Sequence, residues 1–258
     1  MKKMRIDVRI LLLITGLITH FYLTPVFAQM NISKPSKALG EPEVNRHLSV
    51  SEANAFFDIV EAAMKLLRDD NADEANAAFG ARYASEGEAG APGYRYLYKS
   101  LALPQADIEL YTGADPLDYS DDRSSVAVVP LSFRLRFKAS IYGIDRNILM
   151  QRLALESYWV DSDDIRHHGN SLPSFPPTPQ LHTYRYRARE ILESRFPVDV
   201  ELYFIDPLNG DSNQDSRLDE VLIYRAYPFL TPAMRKQKRD EAAARANAAY
   251  GKSRGGEQ

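Results

Sequence analysis

The first clear pattern of apolar and polar positions begins at Ser49 and has the spacing of a helix. Ser49 is followed three residues later by Glu52, which is the arrangement of a capping box at a helix start. Apolar residues then recur three and four positions apart, at Phe56, Ile59, Val60, Ala63, Met64 and Leu67. This stripe predicts a helix that continues to about Arg68, and the alanine-rich stretch Ala72–Tyr83 predicts a second helix. The two together predict an N-terminal helical hairpin.

Beyond the hairpin, the period of the apolar positions changes to two, which is typical of strands. In the segment 131–138, Leu and Phe alternate with Ser, Arg and Lys, and the segment 198–204 alternates in the same way with acidic residues and tyrosine. Shorter alternations predict strands around 108–111 and over Glu220–Tyr227. Alternation on one side only is typical of antiparallel sheets that keep one face in water.

The polar faces of two of these strands carry opposite charges. Arg134 and Arg136 lie on the first strand, and Asp199 and Glu201 lie on the second. If the two strands are neighbours, these side chains pair across them, and each pair contributes about 0.2–1 kcal/mol. The charges would then help to fix the register of the sheet.

Four other segments carry weaker patterns. The stretch 146–160 has the length of a helix, while its alternation slightly favours a hairpin strand, and both alternatives stay open. The segment Tyr184–Arg195 predicts a short helix that leads through Pro197 into the acidic strand. The segments Ser85–Gly93 and Asp161–Gln180 are rich in turn-forming residues and predict loops.

The order of these elements predicts the fold class α+β. In this fold an N-terminal helical hairpin packs on a mostly antiparallel β-sheet, with a basic helical or disordered C-terminal tail. We expect a single domain over residues 49–229, an irregular lead-in over 29–48 and a basic, alanine-rich tail over 230–258. The sequence indicates neither an internal repeat nor a linker to a second domain.

Residues 1–28 have the pattern of a cleavable signal peptide. Four basic residues precede an apolar run from Ile10 to about Val26, and Val26 and Ala28 stand at the two positions that a signal peptidase recognises. An uncleaved membrane anchor is the alternative, because the run is about as long as a bilayer requires. The glycine, histidine and proline within the run favour cleavage. We therefore expect a periplasmic or secreted protein with no stable membrane span after cleavage.

The composition limits the chemistry of this protein. It has no cysteine, which excludes disulfides, thiolate nucleophiles and cysteine-ligated metals. Residues 1–28 carry four basic residues and one acidic residue, so their removal changes the formal net charge from −3 to −6. The tail 230–258 carries seven basic and three acidic residues, which leaves the body of the domain acidic. An acidic body repels nucleic acid, so we expect no nucleic-acid partner.

The best candidate for a metal site precedes the last predicted strand. Oxygen-bearing side chains recur there at spacings that a calcium loop uses, at Asp211, Asn213, Asp215 and Asp219. Ser216 stands where such a loop has its glycine, and Leu222 stands where it has a bidentate carboxylate. A polar hairpin loop, in which these side chains satisfy turn geometry, is the favoured alternative. Calcium is nevertheless the one cofactor that the sequence indicates.

A second acidic segment, Asp161–His168, combines carboxylates with two adjacent histidines. Carboxylates and imidazoles bind zinc when their spacing brings them together, but adjacent histidines point in different directions in most backbones. A solvated polar loop is therefore the favoured interpretation of this segment.

Tyrosine and arginine alternate in two places, Tyr94-Arg95-Tyr96 and Tyr184-Arg185-Tyr186. Flat aromatic rings beside guanidinium groups suit sugars, peptidoglycan fragments or a protein partner. The alternative is ordinary amphipathic packing, with half-buried tyrosines and solvated arginines. We predict these six residues as candidate partner-binding residues.

Two hypotheses about function follow. The sequence contains none of the common hydrolase, zinc-protease or nucleotide-binding motifs, so catalysis has no support from a motif. The first hypothesis is an exported binding protein without catalysis of its own, which engages another envelope or secreted protein. Such a protein would be an accessory subunit of an envelope or secretion system, or an antidote to a toxin. The alternative is a hydrolase of envelope polymers that uses carboxylates or a bound metal.

Overall fold

Helices and strands both occur in the part of the chain that the computed structural model describes, which comprises residues 46–87, 92–118, 126–173, 180–192, 194–206, 216–227 and 232–254. The helices are α1 (Val50–Asp69), α2 (Ala75–Phe79), α3 (Arg146–Arg152) and α4 (Pro232–Arg254). The strands are β1 (Arg46–His47), β2 (Ala81–Glu86), β3 (Arg95–Lys99), β4 (Ala106–Ala114), β5 (Val128–Tyr142), β6 (Tyr158–Val160), β7 (Arg166–His168), β8 (Ser171–Leu172), β9 (Leu181–Arg187), β10 (Val198–Ile205) and β11 (Arg217–Arg225). The predicted mixed α+β class is confirmed.

Most of the strands form one large sheet. Eight of them are antiparallel neighbours in the order β2-β3-β4-β5-β11-β10-β9-β8. β1 pairs in parallel with the end of β5, beyond the stretch that β4 covers. β6 and β7 form a separate two-stranded hairpin. The predicted strands correspond to β4, β5, β10 and β11.

Helix α1 covers the middle of one face of the sheet, and local sequence accounts for its position. The capping box is present, because the Glu52 amide donates to Ser49 Oγ and the Ser49 amide donates to the Glu52 carboxylate. Every residue of the predicted apolar stripe is buried, and the stripe packs against β5, β10 and β11. The helix ends at Asp70, which adopts the left-handed conformation with φ 61°.

We predict that Ser49→Ala lowers the free energy of unfolding by about 1 kcal/mol, because the amide at the third helical position loses its acceptor. Urea unfolding followed by circular dichroism measures this change. Asn54→Ala, at an exposed position inside the same helix, should be neutral or slightly stabilising because alanine has the higher helix propensity. Equal losses in the two variants would contradict a specific capping role for Ser49.

The second predicted helix is wrong in its extent. The structure has only the short α2, and the chain enters β2 at Ala81 instead of continuing as a helix to Tyr83. Gly80 makes this change of direction at φ 96°, and a Cβ there would lie 2.5 Å from the Lys99 carbonyl oxygen. The predicted loop Ser85–Gly93 begins instead within β2.

Three further predictions about local structure are wrong, wholly or in part. The stretch 146–160, for which a strand was slightly favoured, begins with helix α3, whose start is capped by the Asp145 side chain accepting from the Ile148 amide. Only its last three residues form a strand, β6. Tyr184 begins no helix, because the residues up to Arg187 pair with β10 as strand β9. The predicted loop Asp161–Gln180 contains β7 and β8.

The topology shows an internal repetition, which corrects the expectation of a chain without repeats. Each half begins with a helix and contains four consecutive antiparallel strands, β2 to β5 in the first half and β8 to β11 in the second. The sequence Asp-Ile-Glu-Leu-Tyr in β4 (107–111) recurs as Asp-Val-Glu-Leu-Tyr in β10 (199–203). The last strands of the two halves, β5 and β11, join them.

The strand register relates the two halves by an approximate two-fold rotation. Glu109 lies opposite Arg134 of β5, and its counterpart Glu201 lies opposite Leu222 of β11. Arg134 and Leu222 are themselves partners across the junction of the halves. The approximate axis therefore passes through this pair, perpendicular to the sheet, so that equivalent residues of the two halves lie on the same face.

Helix α4 occupies most of the predicted basic tail. An exposed ion pair between Lys236 and Asp240 connects successive turns at 2.7 Å. Within the described residues, no helix is both long enough and apolar enough to cross a membrane.

Candidate functional site

The two tyrosine–arginine segments lie in different halves of the sheet. Arg95 and Tyr96 belong to β3, directly after Tyr94, whereas Tyr184, Arg185 and Tyr186 belong to β9. Four strands separate β3 from β9 in the sheet. The six residues predicted to bind a partner therefore form two separate surfaces.

Within each segment, the tyrosines and the arginine point to opposite faces. Tyr96 and Tyr184 pack against the core on the face that α1 covers, and Tyr186 is buried there. Arg95 and Arg185 lie on the other face, which we call the polar face. Tyr96 and Tyr184 thus fit the predicted alternative of half-buried tyrosines, whereas Tyr186 is fully buried and Tyr94 is exposed.

The polar face of the first half is built around Glu109. Arg95 Nη2 donates to one carboxylate oxygen at 2.7 Å, and the Tyr111 hydroxyl donates to the other at 2.5 Å. Next to it, Arg134 makes a bidentate pair with Glu220, with distances of 2.8 and 2.7 Å. The predicted pairing of Arg134 and Arg136 with Asp199 and Glu201 is wrong, because β11 lies between β5 and β10.

The second half repeats this arrangement around Glu201. The hydroxyls of Tyr203 and Tyr224 donate to its two oxygens at 2.8 and 3.1 Å. The Arg185 guanidinium lies 3.7 Å from the same carboxylate, and it contacts the rings of Trp159 and Tyr224 at 5.1 and 4.9 Å. Sequence reasoning did not identify Trp159 as part of this cluster.

Asp199 is the most enclosed carboxylate of the polar face. Arg187 Nε donates to it at 2.5 Å, and Arg185 lies 3.7 Å away. Burial raises the pKa of Asp199 and also that of Glu220, and the arginines beside them oppose this effect.

Tyrosines on the polar face act as hydrogen-bond donors. Burial and the hydrogen bond to Glu109 raise the pKa of Tyr111 to about 12. Burial and the nearby Glu201 carboxylate likewise raise the pKa values of Tyr203 and Tyr224. These hydroxyls therefore keep their protons at neutral pH. The carboxylates named here are occupied by arginine and tyrosine donors, so the network is suited to fixing strand register rather than to exchanging protons with a substrate.

A different surface lies at the edge of the first half. Strand β2 ends the sheet, and five of its six residues are exposed. Tyr83 and Tyr94 expose 62% and 50% of their surface. The Tyr94 ring lies 5.8 Å from that of Tyr96, over which the Arg82 guanidinium lies at 5.0 Å. We call the surface formed by β2, Tyr94 and Tyr96 the β2 edge.

The calcium prediction falls largely outside the described residues. Asp211, Asn213 and Asp215 are among the residues that the structure does not describe. Asp219 lies in β11, where it accepts a hydrogen bond from Ser140 Oγ at 2.7 Å and lies 3.9 Å from Arg136. Calcium binding by this segment stays a prediction.

The residues of the second metal candidate, Asp161–His168, form two separate contacts instead of one cluster. His167 lies 2.7 Å from the Asp161 carboxylate and stacks on Trp159 at 4.3 Å, whereas His168 lies next to the ring of Tyr158. The hydrogen bond to His167 lowers the pKa of Asp161. Across the described ranges, no group of three or more histidine or acidic side chains is placed to hold a metal ion.

We compared the chain with known proteins at the level of families, individual sequences and solved structures. No protein-family model, curated protein or solved structure matches this chain. The structure itself defines an α+β protein in which two helix-plus-meander halves share one continuous sheet.

Proposed function

We propose that this chain is an exported binding protein, without catalysis of its own, that engages another envelope or secreted protein through the β2 edge. It would act as an accessory subunit of an envelope or secretion system, or as an antidote to a toxin. The observation that carries this proposal is the long, exposed strand at one end of the sheet. Cleavage after Ala28 would deliver the mature chain to the compartment of such a partner.

The backbone of β2 favours a partner that adds a strand. An edge strand presents a row of backbone donors and acceptors, and proteins commonly protect such edges by keeping them short. The opposite edge of this sheet follows that rule, because β8 has only two residues. β2 has six, and no other described strand pairs with its outer side. An extended segment of another protein would satisfy this backbone.

The side chains of the β2 edge support the same role. Tyrosine and arginine dominate the energetics of protein interfaces, because each combines a large contact area with hydrogen bonding. Tyr96 is partly buried and carries the Arg82 guanidinium over its ring, so these groups are ordered before a partner arrives. Preordered side chains lose less entropy when they bind.

The polar face supports binding rather than the alternative hydrolase. General acid–base catalysis requires a carboxylate that can reach the substrate and exchange a proton with it. Glu109, Glu220 and Glu201 instead accept hydrogen bonds from neighbouring arginines or tyrosines.

Photocrosslinking in the producing cells tests the proposal. A benzophenone amino acid is placed at Tyr83 or at Tyr94, and at Ile165 as the control, which is similarly exposed but lies in the turn between β6 and β7. We expect an adduct of one defined mass from the β2 edge and none from position 165. A second substitution, Tyr83→Lys, should remove the adduct at position 94 while leaving the melting temperature unchanged, because Tyr83 is exposed.

Two results would contradict the proposal. One is the absence of any adduct at both tyrosine positions in a chain that has been exported and folded. The other is the same set of adducts at position 165, which would indicate nonspecific encounters. The mass of the chain recovered from the periplasm tests cleavage after Ala28 separately.

A further inference from the structure

A cleft of about 620 Å³ lies at the other end of the sheet from the β2 edge. Helix α3 forms one wall through Arg146, Asn147 and Met150, and the chain between β7 and β8 forms another through residues 168–171. Tyr186 of β9 completes the lining. This volume is within the range of pockets that bind small molecules.

The two halves differ in what packs beside the tyrosine at one equivalent position. In the register of the strands, Tyr98 of β3 lies opposite Ile108, and Tyr186 of β9 lies opposite the equivalent Val200. In the first half, Phe79 of α2 packs edge-on against the Tyr98 ring at 5.4 Å. At the equivalent place in the second half, Tyr186 lines the cleft.

The Tyr186 hydroxyl is a buried polar group without a partner among the described residues. Only 1% of the residue is exposed, and its oxygen makes no hydrogen bond with any other group that the structure describes. A buried hydroxyl in this state lowers the stability of the fold, and proteins retain such groups mainly where they serve a purpose. Burial raises the pKa of Tyr186 to about 12, so at neutral pH the hydroxyl keeps its proton and is available as a donor.

The charge and polarity of the lining select the ligand. Arg146 supplies a guanidinium, which lies over the Tyr184 ring at 4.6 Å, and none of the described residues that line the cleft is an aspartate or glutamate. A guanidinium in such a setting favours a carboxylate. Asn147, Asn170 and Ser171 offer amide and hydroxyl groups. Asn170 donates from its amide nitrogen to the Arg185 carbonyl oxygen, which orients its side chain.

We propose that this cleft binds a sugar acid, a hydroxylated ring that carries one carboxylate. Arg146 pairs with the carboxylate, the Tyr186 hydroxyl donates to a ring oxygen, and the amide and hydroxyl groups bind the remaining hydroxyls. Met150 contacts the apolar side of the ring. This site is independent of the β2 edge, since it lies in the other half of the sheet, so either proposal can fail without the other.

Calorimetric titration of the mature chain with D-glucuronate tests the site, with D-glucose as the neutral comparison. We expect saturable glucuronate binding and at least tenfold weaker glucose binding, because glucose has no group for Arg146. Methyl β-D-glucuronide represents the same unit within a polysaccharide. Tighter binding of the methyl glycoside than of the free acid would indicate a polymer as the source of the ligand, and the reverse order would indicate the free acid.

Two matched variants make the test specific. Tyr186→Phe should weaken glucuronate binding about tenfold, which corresponds to one hydrogen bond. The same variant should raise the melting temperature of the free protein, because it removes a buried unpaired hydroxyl. Tyr98→Phe, at the equivalent position of the first half, should leave glucuronate affinity unchanged.

Three results would overturn the proposal. They are no saturation at millimolar glucuronate, equal affinity for glucose and glucuronate, and an unchanged affinity in Tyr186→Phe. The rise in melting temperature confirms that Tyr186→Phe still folds, so a loss of binding in that variant is not the result of unfolding.

Discussion

Replacing Arg225 with methionine is expected to lower the free energy of unfolding by about 3–5 kcal/mol, because the substitution removes a fully buried guanidinium, leaves Asp70 with only its exposed partner Arg195, and leaves the Leu67 carbonyl oxygen without this donor. The Arg225 side chain is 0% exposed, and its Nη2 donates to Asp70 Oδ1 at 2.7 Å. Its Nε donates to the Leu67 carbonyl oxygen at 3.0 Å, and its guanidinium lies 4.1 Å from the centre of the Phe196 ring.

The position of these contacts explains the size of the effect. Leu67 and Asp70 belong to the C-terminal end of α1, where helix carbonyls have no partner within the helix. A positive charge at this end also interacts favourably with the helix dipole. The amides of Arg195 and Phe196 donate to the Arg68 carbonyl oxygen, so β11 and the residues just before β10 together complete the end of α1. Arg225 therefore connects the helix to the sheet.

Arg195→Met provides the matched control. Arg195 pairs with the same aspartate at 3.4 Å, but its side chain is 65% exposed. Exposed ion pairs contribute about 0–1 kcal/mol, so this variant should lose no more than that. Urea unfolding monitored by circular dichroism compares the two variants. Equal losses of stability would show that the burial of Arg225 is not the cause of its large effect.

The second large effect is expected for Arg134→Met, at about 3–5 kcal/mol. This substitution leaves the enclosed Glu220 carboxylate without its bidentate partner, and it also removes the guanidinium that lies 4.0 Å from Glu109. The double variant Arg134→Met with Glu220→Leu should recover most of the loss. Replacing a buried ion pair by apolar side chains of similar size is often neutral.

A double-mutant cycle on urea unfolding measures this coupling. Lys65→Met serves as the reference, because Lys65 and Glu74 are 3.7 Å apart but both exposed, and it should change stability by less than about 1 kcal/mol. If the losses of the two single substitutions simply add in the double variant, Arg134 and Glu220 do not act as a pair.

The elements that were predicted correctly are those that short-range sequence determines. The capping box and apolar stripe of α1 lie within twenty residues, and the alternation of β5 and β10 is visible within each strand. β9 was mistaken for a helix because both faces of Tyr184–Arg187 carry residues that are partly apolar and partly polar. β2 was missed because a strand at the edge of the sheet, exposed on most positions, shows no alternation.

The neighbours of each strand could not be predicted from local patterns. Arg134 meets Glu220 because β5 pairs with β11, a contact between residues 86 positions apart in the chain. The cleft around Tyr186 depends on such packing as well. By contrast, the repeated Asp-x-Glu-Leu-Tyr motif was present in the sequence, and comparison of the chain with itself would have found it.

The approximate two-fold relation between the halves has the geometry of a symmetric dimer whose subunits have been fused into one chain. In a true homodimer, any change that improves packing in one subunit is imposed on the other. Fusion removes that constraint, so each copy is free to diverge. In the first half Phe79 packs against the Tyr98 ring, whereas in the second half Tyr186 borders the cleft and its buried hydroxyl has no partner among the described residues. The two halves therefore share a strand order but differ in what packs beside their equivalent tyrosines.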